Sequence, residues 1–274
     1  MNVDIRKALA EARDKRALQK LLCNKANLEV KHVGGIYYHK NARGKWDSQT
    51  GLLPPLRDTF WYDFDIKKAM KSARKAGVRK TRSHGKGRHY GSIRGTETHE
   101  QLQDMVELDQ AAFRRRHPVI HEYTRQIMHF IMRQRWRPLA AEFHLCDPAL
   151  RIATSIDMIL LSEQDKLVFL EFKTGYAGYF KAASGMMHGA LSELDNSHYS
   201  QAHVQLMSSV MLLAKSHGLQ SSELEMYVVL VNDEMLSPHK INNGFLQRHA
   251  TNIYRDLQAL HTRSLPAGKQ RRAR

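Results

Sequence analysis

The middle of the chain carries three apolar runs of strand length, with short polar connections between them and helix-like patterns on both sides. The three strands are predicted at Leu139–Leu145, Arg151–Leu161 and Lys166–Lys173. Before them, apolar residues recur at helical spacing from His99 to Met132, and this predicts two helices. The break between them is expected near His117-Pro118, because proline lacks a backbone donor and disfavours helix at the preceding residue.

The pattern after the third strand predicts another helix, a further strand and a last helix. These elements are predicted at His198–His217, Leu224–Val231 and Gly244–Leu260. The order helix, three strands, helix, strand is that of an α/β domain, in which helices pack on a central sheet.

The first 95 residues have a weaker pattern and predict an extension in front of this domain. We expect an amphipathic helix at Ile5–Cys23, short strands at Val30–Tyr38 and Phe60–Phe64 around a loop over residues 41–56, and a basic helix at Ile66–Ala76. The predicted division of the chain is a basic N-terminal region at residues 1–95, a core at residues 96–262 and a basic tail at residues 263–274.

Three charged residues interrupt the second and third predicted strands. Asp157 lies in the second strand, and Glu171 and Lys173 lie in the third. Burial of a carboxylate or an ammonium is costly unless the group is paired or bound to a metal. Because the loop Ser162–Lys166 has hairpin length, the strands should pair antiparallel. Alternate residues of a strand share a face, so Glu171 and Lys173 should project together.

Two interpretations of these charges are open. If Asp157 points to the same side as Glu171, two carboxylates converge on a hard cation such as Mg²⁺, which prefers oxygen ligands. Lys173 would then lie beside a reacting water and a phosphate. Alternatively, Asp157 caps or turns a strand, and Glu171 and Lys173 form an ion pair at a sheet edge, worth about 0–1 kcal/mol if exposed.

Thirteen residues separate Asp157 from the triplet Glu171-Phe172-Lys173, across a predicted β-hairpin. This arrangement resembles the PD-(D/E)XK nuclease superfamily. The segment Arg94–His99 resembles the Gly-x-x-x-His element of RecB-like exonucleases, whose histidine is a metal ligand.

Two further positions extend the resemblance, in the order that the family has. Glu142 falls where such enzymes often carry a glutamate before the strand with the aspartate. Gln201 lies in a segment similar to the glutamine helix of RecB-like and lambda-exonuclease-like members. Two positions depart from the pattern, since Thr154 stands where many relatives have glycine and Gln205 where tyrosine is usual.

The resemblance implies a restriction-endonuclease-like αβββαβ core, with a mixed central sheet flanked by helices, and a Mg²⁺- or Mn²⁺-dependent deoxyribonuclease. The metal would be held by Asp157 and Glu171, with Glu142, His99 and the backbone carbonyl of Phe172 as further ligands. Lys173 would orient the attacking water, and Gln201 would position the lysine or a phosphate. The glutamine helix favours an exonuclease or end-processing enzyme in replication, recombination or repair.

Positive charge is concentrated before the predicted core. The chain has 43 Lys and Arg against 27 Asp and Glu, and residues 1–95 hold 23 of the basic and 8 of the acidic ones. Between Lys67 and Arg94 there are eleven basic residues and no acidic one. Such a density favours phosphate contacts with DNA, and RNA is a further candidate. The predicted contacts are Lys75, Arg79, Lys80, Arg82, Lys86, Arg88 and Arg94. A disordered tail or a nuclear-targeting patch is the alternative.

The remaining sequence features narrow the classes of protein. Cys23 and Cys146 match no zinc or disulfide spacing. No apolar run approaches the roughly 20 residues of a membrane span, and the first residues lack the apolar centre of a signal peptide, so a soluble intracellular protein is expected.

Three other functions remain open at this point. The same fold could bind nucleic acid without catalysis, the chain could package nucleic acid, or the metal site could act on small phosphorylated substrates. The extended positive charge argues against the last. Strandedness of the substrate, cleavage at ends or internally, and oligomeric state are not determined by these motifs.

Overall fold

The protein has a mixed β-sheet with helices packed against it. This computed structural model describes residues 30–33, 36–41, 43–52, 56, 60, 90–175, 180, 183–217 and 224–264. The strands are β1 (Val30–Val33), β2 (Ile36–Lys40), β3 (Trp46–Gly51), β4 (Arg137–Asp147), β5 (Ile152–Leu161), β6 (Leu167–Thr174), β7 (Ala183–Met186), β8 (Asp195–Ser197), β9 (Leu224–Val231) and β10 (Leu236–Lys240). The helices are α1 (Tyr90–Glu107), α2 (Gln110–Arg116), α3 (Glu122–Arg133), α4 (His198–His217) and α5 (Asn243–Ser264).

Five strands form the central sheet, in the order β4-β5-β6-β9-β10. Strands β6 and β9 are parallel, and the other neighbours in this order are antiparallel. A three-stranded antiparallel meander, β1-β2-β3, joins the start of β5, where Thr50 and Gly51 pair in parallel with Ile152 and Ala153. Because β6 pairs with only the last part of β5, β3 supplies backbone partners to the first part.

Helices cover both faces of the sheet and create two apolar cores. In β6, Phe169 packs in the core that contains α4 and α5, whereas its neighbour Leu170 packs in the core that contains α1 and α3. Successive residues of a strand point to opposite faces, so the two cores lie on opposite sides of the sheet. The hydrophobic runs of β5 and β6 are continuous because both faces are buried.

The central elements agree with the sequence pattern. Strands β4, β5 and β6 lie on the three predicted runs, and β5 and β6 pair antiparallel as predicted. Helix α4 and strand β9 have the predicted bounds. The described part of the chain is therefore α/β with a mixed central sheet flanked by helices, as predicted.

Several local predictions differ from the structure. The predicted loop over residues 41–56 contains β3, and the single strand predicted at Val30–Tyr38 is two strands, β1 and β2, with Gly34-Gly35 between them in the sequence. The helical region contains three helices rather than two, because Asp109 caps α2 by accepting a hydrogen bond from the backbone N of Ala112. Strand β10 was not predicted, and it contains a proline that only an edge strand tolerates.

Helix α1 begins nine residues earlier than the predicted start at His99, so the boundary drawn between residues 95 and 96 falls inside it. Phe60, predicted in a strand, is helical and fully buried. Several predictions fall outside the described residues: the helices at Ile5–Cys23 and Ile66–Ala76, the rest of the strand at Phe60–Phe64, and residues 265–274 of the tail. Among the described helices, none has the length and apolar character needed to cross a membrane.

Candidate active site

Strands β5 and β6 stop pairing where the charged residues begin. The ladder between them ends with Met158 opposite Leu170. Asp157 is the next residue of β5, and its Oδ2 accepts a hydrogen bond from the backbone N of Phe172 at 2.7 Å. The Asp157 carboxylate thus takes the place of a strand partner for the Phe172 N–H, and this hydrogen bond holds the carboxylate between β5 and β6.

Side chains from three elements meet at this point. Nδ1 of His99 in α1 lies 2.7 Å from Oε1 of Glu142 in β4 and 3.8 Å from Oδ1 of Asp157 in β5. One candidate ligand atom from each of the three residues lies within 4.8 Å of the others. An imidazole and two carboxylates at this spacing can bind one divalent cation. The structure therefore brings together three residues that the sequence indicated as metal ligands.

Glu142 has a backbone conformation that is unusual inside a strand. Ala141 pairs with Met158 and Phe143 with Ile156, so Glu142 stands opposite Asp157. Its φ is 45°, in the left-handed region. A residue with a side chain in such a sparsely populated region costs about 1–3 kcal/mol, and such residues cluster at functional sites. The strain accompanies a carboxylate directed at the cluster, where it contacts His99.

Gly95 explains how α1 delivers His99. A Cβ added at Gly95 would lie 2.8 Å from Oγ1 of Thr174, closer than side chains tolerate, so a larger residue here would require α1 or the Thr174 side chain to shift. His99 follows one helical turn later, on the same side of α1. The Gly-x-x-x-His spacing thus combines a close helix–strand contact with a ligand one turn away.

Glu171 and Lys173 form an ion pair beside the cluster. Nζ of Lys173 donates to Oε1 of Glu171 at 2.6 Å, which confirms that the two side chains share a face. The Glu171 side chain is 2% exposed and that of Lys173 is 32% exposed, so the pair runs from the interior to the surface. The second oxygen of Glu171, Oε2, is buried and has no hydrogen-bond partner among the described residues. A buried carboxylate oxygen in that state is costly unless it binds a cation.

Gln205, a residue that the resemblance did not assign to the site, contacts Lys173. Nζ of Lys173 donates to Oε1 of Gln205 at 3.1 Å, whereas Gln201 donates to Asn196 at 2.8 Å. The role predicted for Gln201, to position the lysine or a phosphate, stays a prediction. The two glutamines are one turn apart in α4 and share a side of the helix, so the motif alone favoured the earlier one.

The electrostatics of the site are set by carboxylates held close together. Burial, and next the Glu171 carboxylate, raise the pKa of Asp157 to about 7, although His99 opposes the shift. Burial lowers the pKa of His99, but the Asp157 and Glu142 carboxylates outweigh it and raise that pKa to about 9. The His99 shift reflects the neighbouring carboxylates, whereas the Asp157 shift reflects burial first and the Glu171 carboxylate second.

Two other predicted site residues have clear surroundings. The peptide of Phe172 donates its N–H to Asp157, and its ring meets the His99 ring edge-on at 6.2 Å. The metal-ligand role of its carbonyl stays a prediction. Arg94 donates to Asp233 and to the hydroxyl of Tyr123, and its predicted phosphate contact stays a prediction. The other predicted phosphate contacts lie outside the described residues: Lys75, Arg79, Lys80, Arg82, Lys86 and Arg88.

A comparison with protein-family models gives no match, and a comparison with curated proteins gives none either.

Proposed function

We propose that the chain is a metal-dependent nuclease that hydrolyses DNA phosphodiester bonds. The observation that carries this proposal is the meeting of His99, Glu142 and Asp157 within 4.8 Å, at the end of the β5–β6 ladder and beside the Glu171–Lys173 pair. Carboxylates that hold a divalent cation next to an ammonium are suited to polarising a phosphate and activating water.

The residues of the site fit a hard divalent cation. Three carboxylates and one imidazole favour Mg²⁺ or Mn²⁺ over metals that select thiolates. His99, Glu142 and Asp157 would hold the ion, and Glu171 would contribute through the oxygen that has no other described partner. The bound ion would supply charge stabilisation at the phosphate and a lowered pKa for a water.

The chain's own residues divide the remaining work. The Lys173 side chain is 32% exposed, so its ammonium can orient the attacking water and offset the negative charge that develops on the phosphate. Gln205 and Glu171 hold that ammonium at 3.1 and 2.6 Å, which fixes its position before substrate arrives. The N–H of Phe172 holds the Asp157 carboxylate in the same way.

The element order supports a restriction-endonuclease-like core of the PD-(D/E)XK type. Helix α1 precedes β4, β5 and β6, and α4 and β9 follow, with β6 and β9 parallel. The charge of the chain supports a polyanionic substrate, since basic residues exceed acidic ones by 16. We assign the activity to ends of DNA on the resemblance of the segment around Gln201 to the glutamine helix of exonuclease-like enzymes.

The test uses labelled linear and circular DNA incubated with Mg²⁺. We expect the linear form to be degraded and the circle to persist. Lys173→Ala should abolish cleavage and leave binding in EDTA unchanged. Gln205→Ala should lower the rate by about 10-fold, the loss typical of a misplaced catalytic group, and Gln201→Ala serves as the matched control with a smaller effect.

Two outcomes would contradict the proposal. Cleavage that survives in both Asp157→Ala and Lys173→Ala would show that the activity lies elsewhere. Binding without cleavage under any divalent ion would favour a nucleic-acid-binding protein on the same fold.

A further inference from the structure

We propose that His32 and Tyr37 of the β1–β2 hairpin, together with His144 of β4, form a stacking site for an unpaired DNA base next to the carboxylate cluster. This inference rests on the proposed nuclease function and adds a substrate preference to it. The occupant would be one base of a single strand whose neighbouring phosphate lies at His99, Glu142 and Asp157.

The three rings form one cluster with an open side. His32 and Tyr37 are paired across the hairpin and stack at 4.3 Å between ring centroids, with 22° between their planes. His144 meets both rings edge-on at 5.9 Å. His32 is exposed, whereas Tyr37 and His144 are half-buried. A stack that ends on an exposed aromatic ring offers its outer face to a nucleobase, because every base has a π-face.

The ring cluster lies directly beside the candidate metal ligands. His144 follows Glu142 by two residues in β4, and Ser155 precedes Asp157 by two residues in β5. The hydroxyl of Tyr37 contacts Oγ of Ser155 at 3.5 Å. Two residues along a strand span about 6.6 Å, so a base on the rings and a phosphate at the carboxylates are within the reach of one nucleotide.

The rings lie on the face of the meander away from two of its cations and from its exposed apolar pair. Lys31 and Lys40 lie over Trp46 on the opposite face. Val33 and Ile36 alternate with His32 and Tyr37, so they also point to that opposite face. The rings would therefore hold a base by its face, and a base paired inside a duplex would not present that face.

An interpretation as a small satellite core is less favourable. Nδ1 of His144 is buried and has no hydrogen-bond partner among the described residues, which a core of aliphatic side chains would avoid. His32, the outermost ring, is exposed to solvent, whereas a core would cover it.

The experiment measures binding of a fluorescein-labelled single-stranded oligothymidylate by anisotropy, in EDTA. His32→Ala should weaken binding by about 10-fold, the order expected for one lost base–aromatic stack. His32→Phe should retain most of the affinity. Trp46→Ala is the matched control, because Trp46 is an exposed ring on the opposite face of the same meander, where Lys31 lies over it at 3.9 Å.

A second set of oligonucleotides, each with one abasic position, separates base stacking from phosphate contact. When the abasic position falls at the rings, the native protein should bind that strand about 10-fold more weakly than the intact strand. His32→Ala should bind this abasic strand with the same affinity as the native protein does. Binding to a blunt duplex should be the same for native protein and His32→Ala. Thermal unfolding of each variant shows whether the fold is retained.

The outcomes distinguish this inference from the proposed nuclease. If cleavage depends on Lys173 but His32→Ala binds every strand as the native protein does, the stacking site is refuted and the nuclease stands. If Trp46→Ala loses as much affinity as His32→Ala, or if the His32→Ala loss is equal at all abasic positions, the stacking site is also refuted. Absence of both binding and cleavage would refute the two proposals together.

Discussion

Replacing Glu142 tests whether its left-handed backbone conformation lowers the free energy of unfolding. In an ordinary strand, glycine is about 0.5–1 kcal/mol less stable than alanine. A residue with a Cβ in the left-handed region costs about 1–2 kcal/mol, and glycine avoids that cost. Since Glu142 has a φ of 45°, the second effect should exceed the first. We therefore expect Glu142→Gly to be more stable than Glu142→Ala by about 1 kcal/mol.

The comparison isolates the backbone, because both variants lose the same carboxylate and the same hydrogen bond to His99. Both should also lose cleavage, so stability and activity are expected to separate. The matched control is Ala141→Gly, one residue earlier in β4 and outside the left-handed region. There glycine should destabilise by about 1–2 kcal/mol, from backbone entropy and a lost buried methyl group.

The assay is urea unfolding followed by a spectroscopic signal, with the free energy of unfolding compared at unchanged m value. An inverted order at position 142 and a normal order at position 141 would support the strain argument. If Glu142→Ala is as stable as Glu142→Gly, or more stable, the strain argument is refuted.

Two further experiments test the surroundings of the site. Gly95→Ala should destabilise the protein by about 1–3 kcal/mol, as overpacking does, and should lower cleavage, because the new methyl group meets Thr174 Oγ1. Adding Thr174→Ala to the same chain should restore stability and cleavage, and failure to restore them would contradict the close-contact explanation. Burial raises the pKa of the Cys146 thiol to about 12, so alkylation at a pH of about 8 should label Cys146 only after unfolding. Peptide mapping by mass spectrometry distinguishes it from Cys23, and rapid labelling of Cys146 in the folded protein would contradict its burial.

The central elements were predictable because their signals are local. Continuous apolar runs separated by a short polar loop predict a hairpin, and period-two alternation placed Glu171 and Lys173 on one face, as the 2.6 Å contact confirms. Strand β3 was missed because its reason is remote in sequence. It pairs with the part of β5 that β6 leaves uncovered, and no residue between 46 and 51 carries that information.

The details of the site depended on geometry that the pattern does not contain. Both glutamines of α4 fit one face of a helix, and only the position of Lys173 above that face selects Gln205. The sequence indicated Glu142 as a ligand only through the resemblance. Its left-handed backbone opposite Asp157 became visible only once the strands were paired.

Three features at the end of the β5–β6 ladder each lower the stability of the folded chain. Glu142 holds a strained φ, burial and neighbouring carboxylates raise the pKa of Asp157, and Glu171 buries an oxygen that has no described hydrogen-bond partner. Packing alone would favour apolar residues at these positions, since the surrounding strand residues are apolar and buried. These costs are coupled, since the Glu171 carboxylate adds to the Asp157 shift. The divalent cation of the proposed function would offset two of the three negative charges, which supplies a reason for an arrangement that packing alone would disfavour.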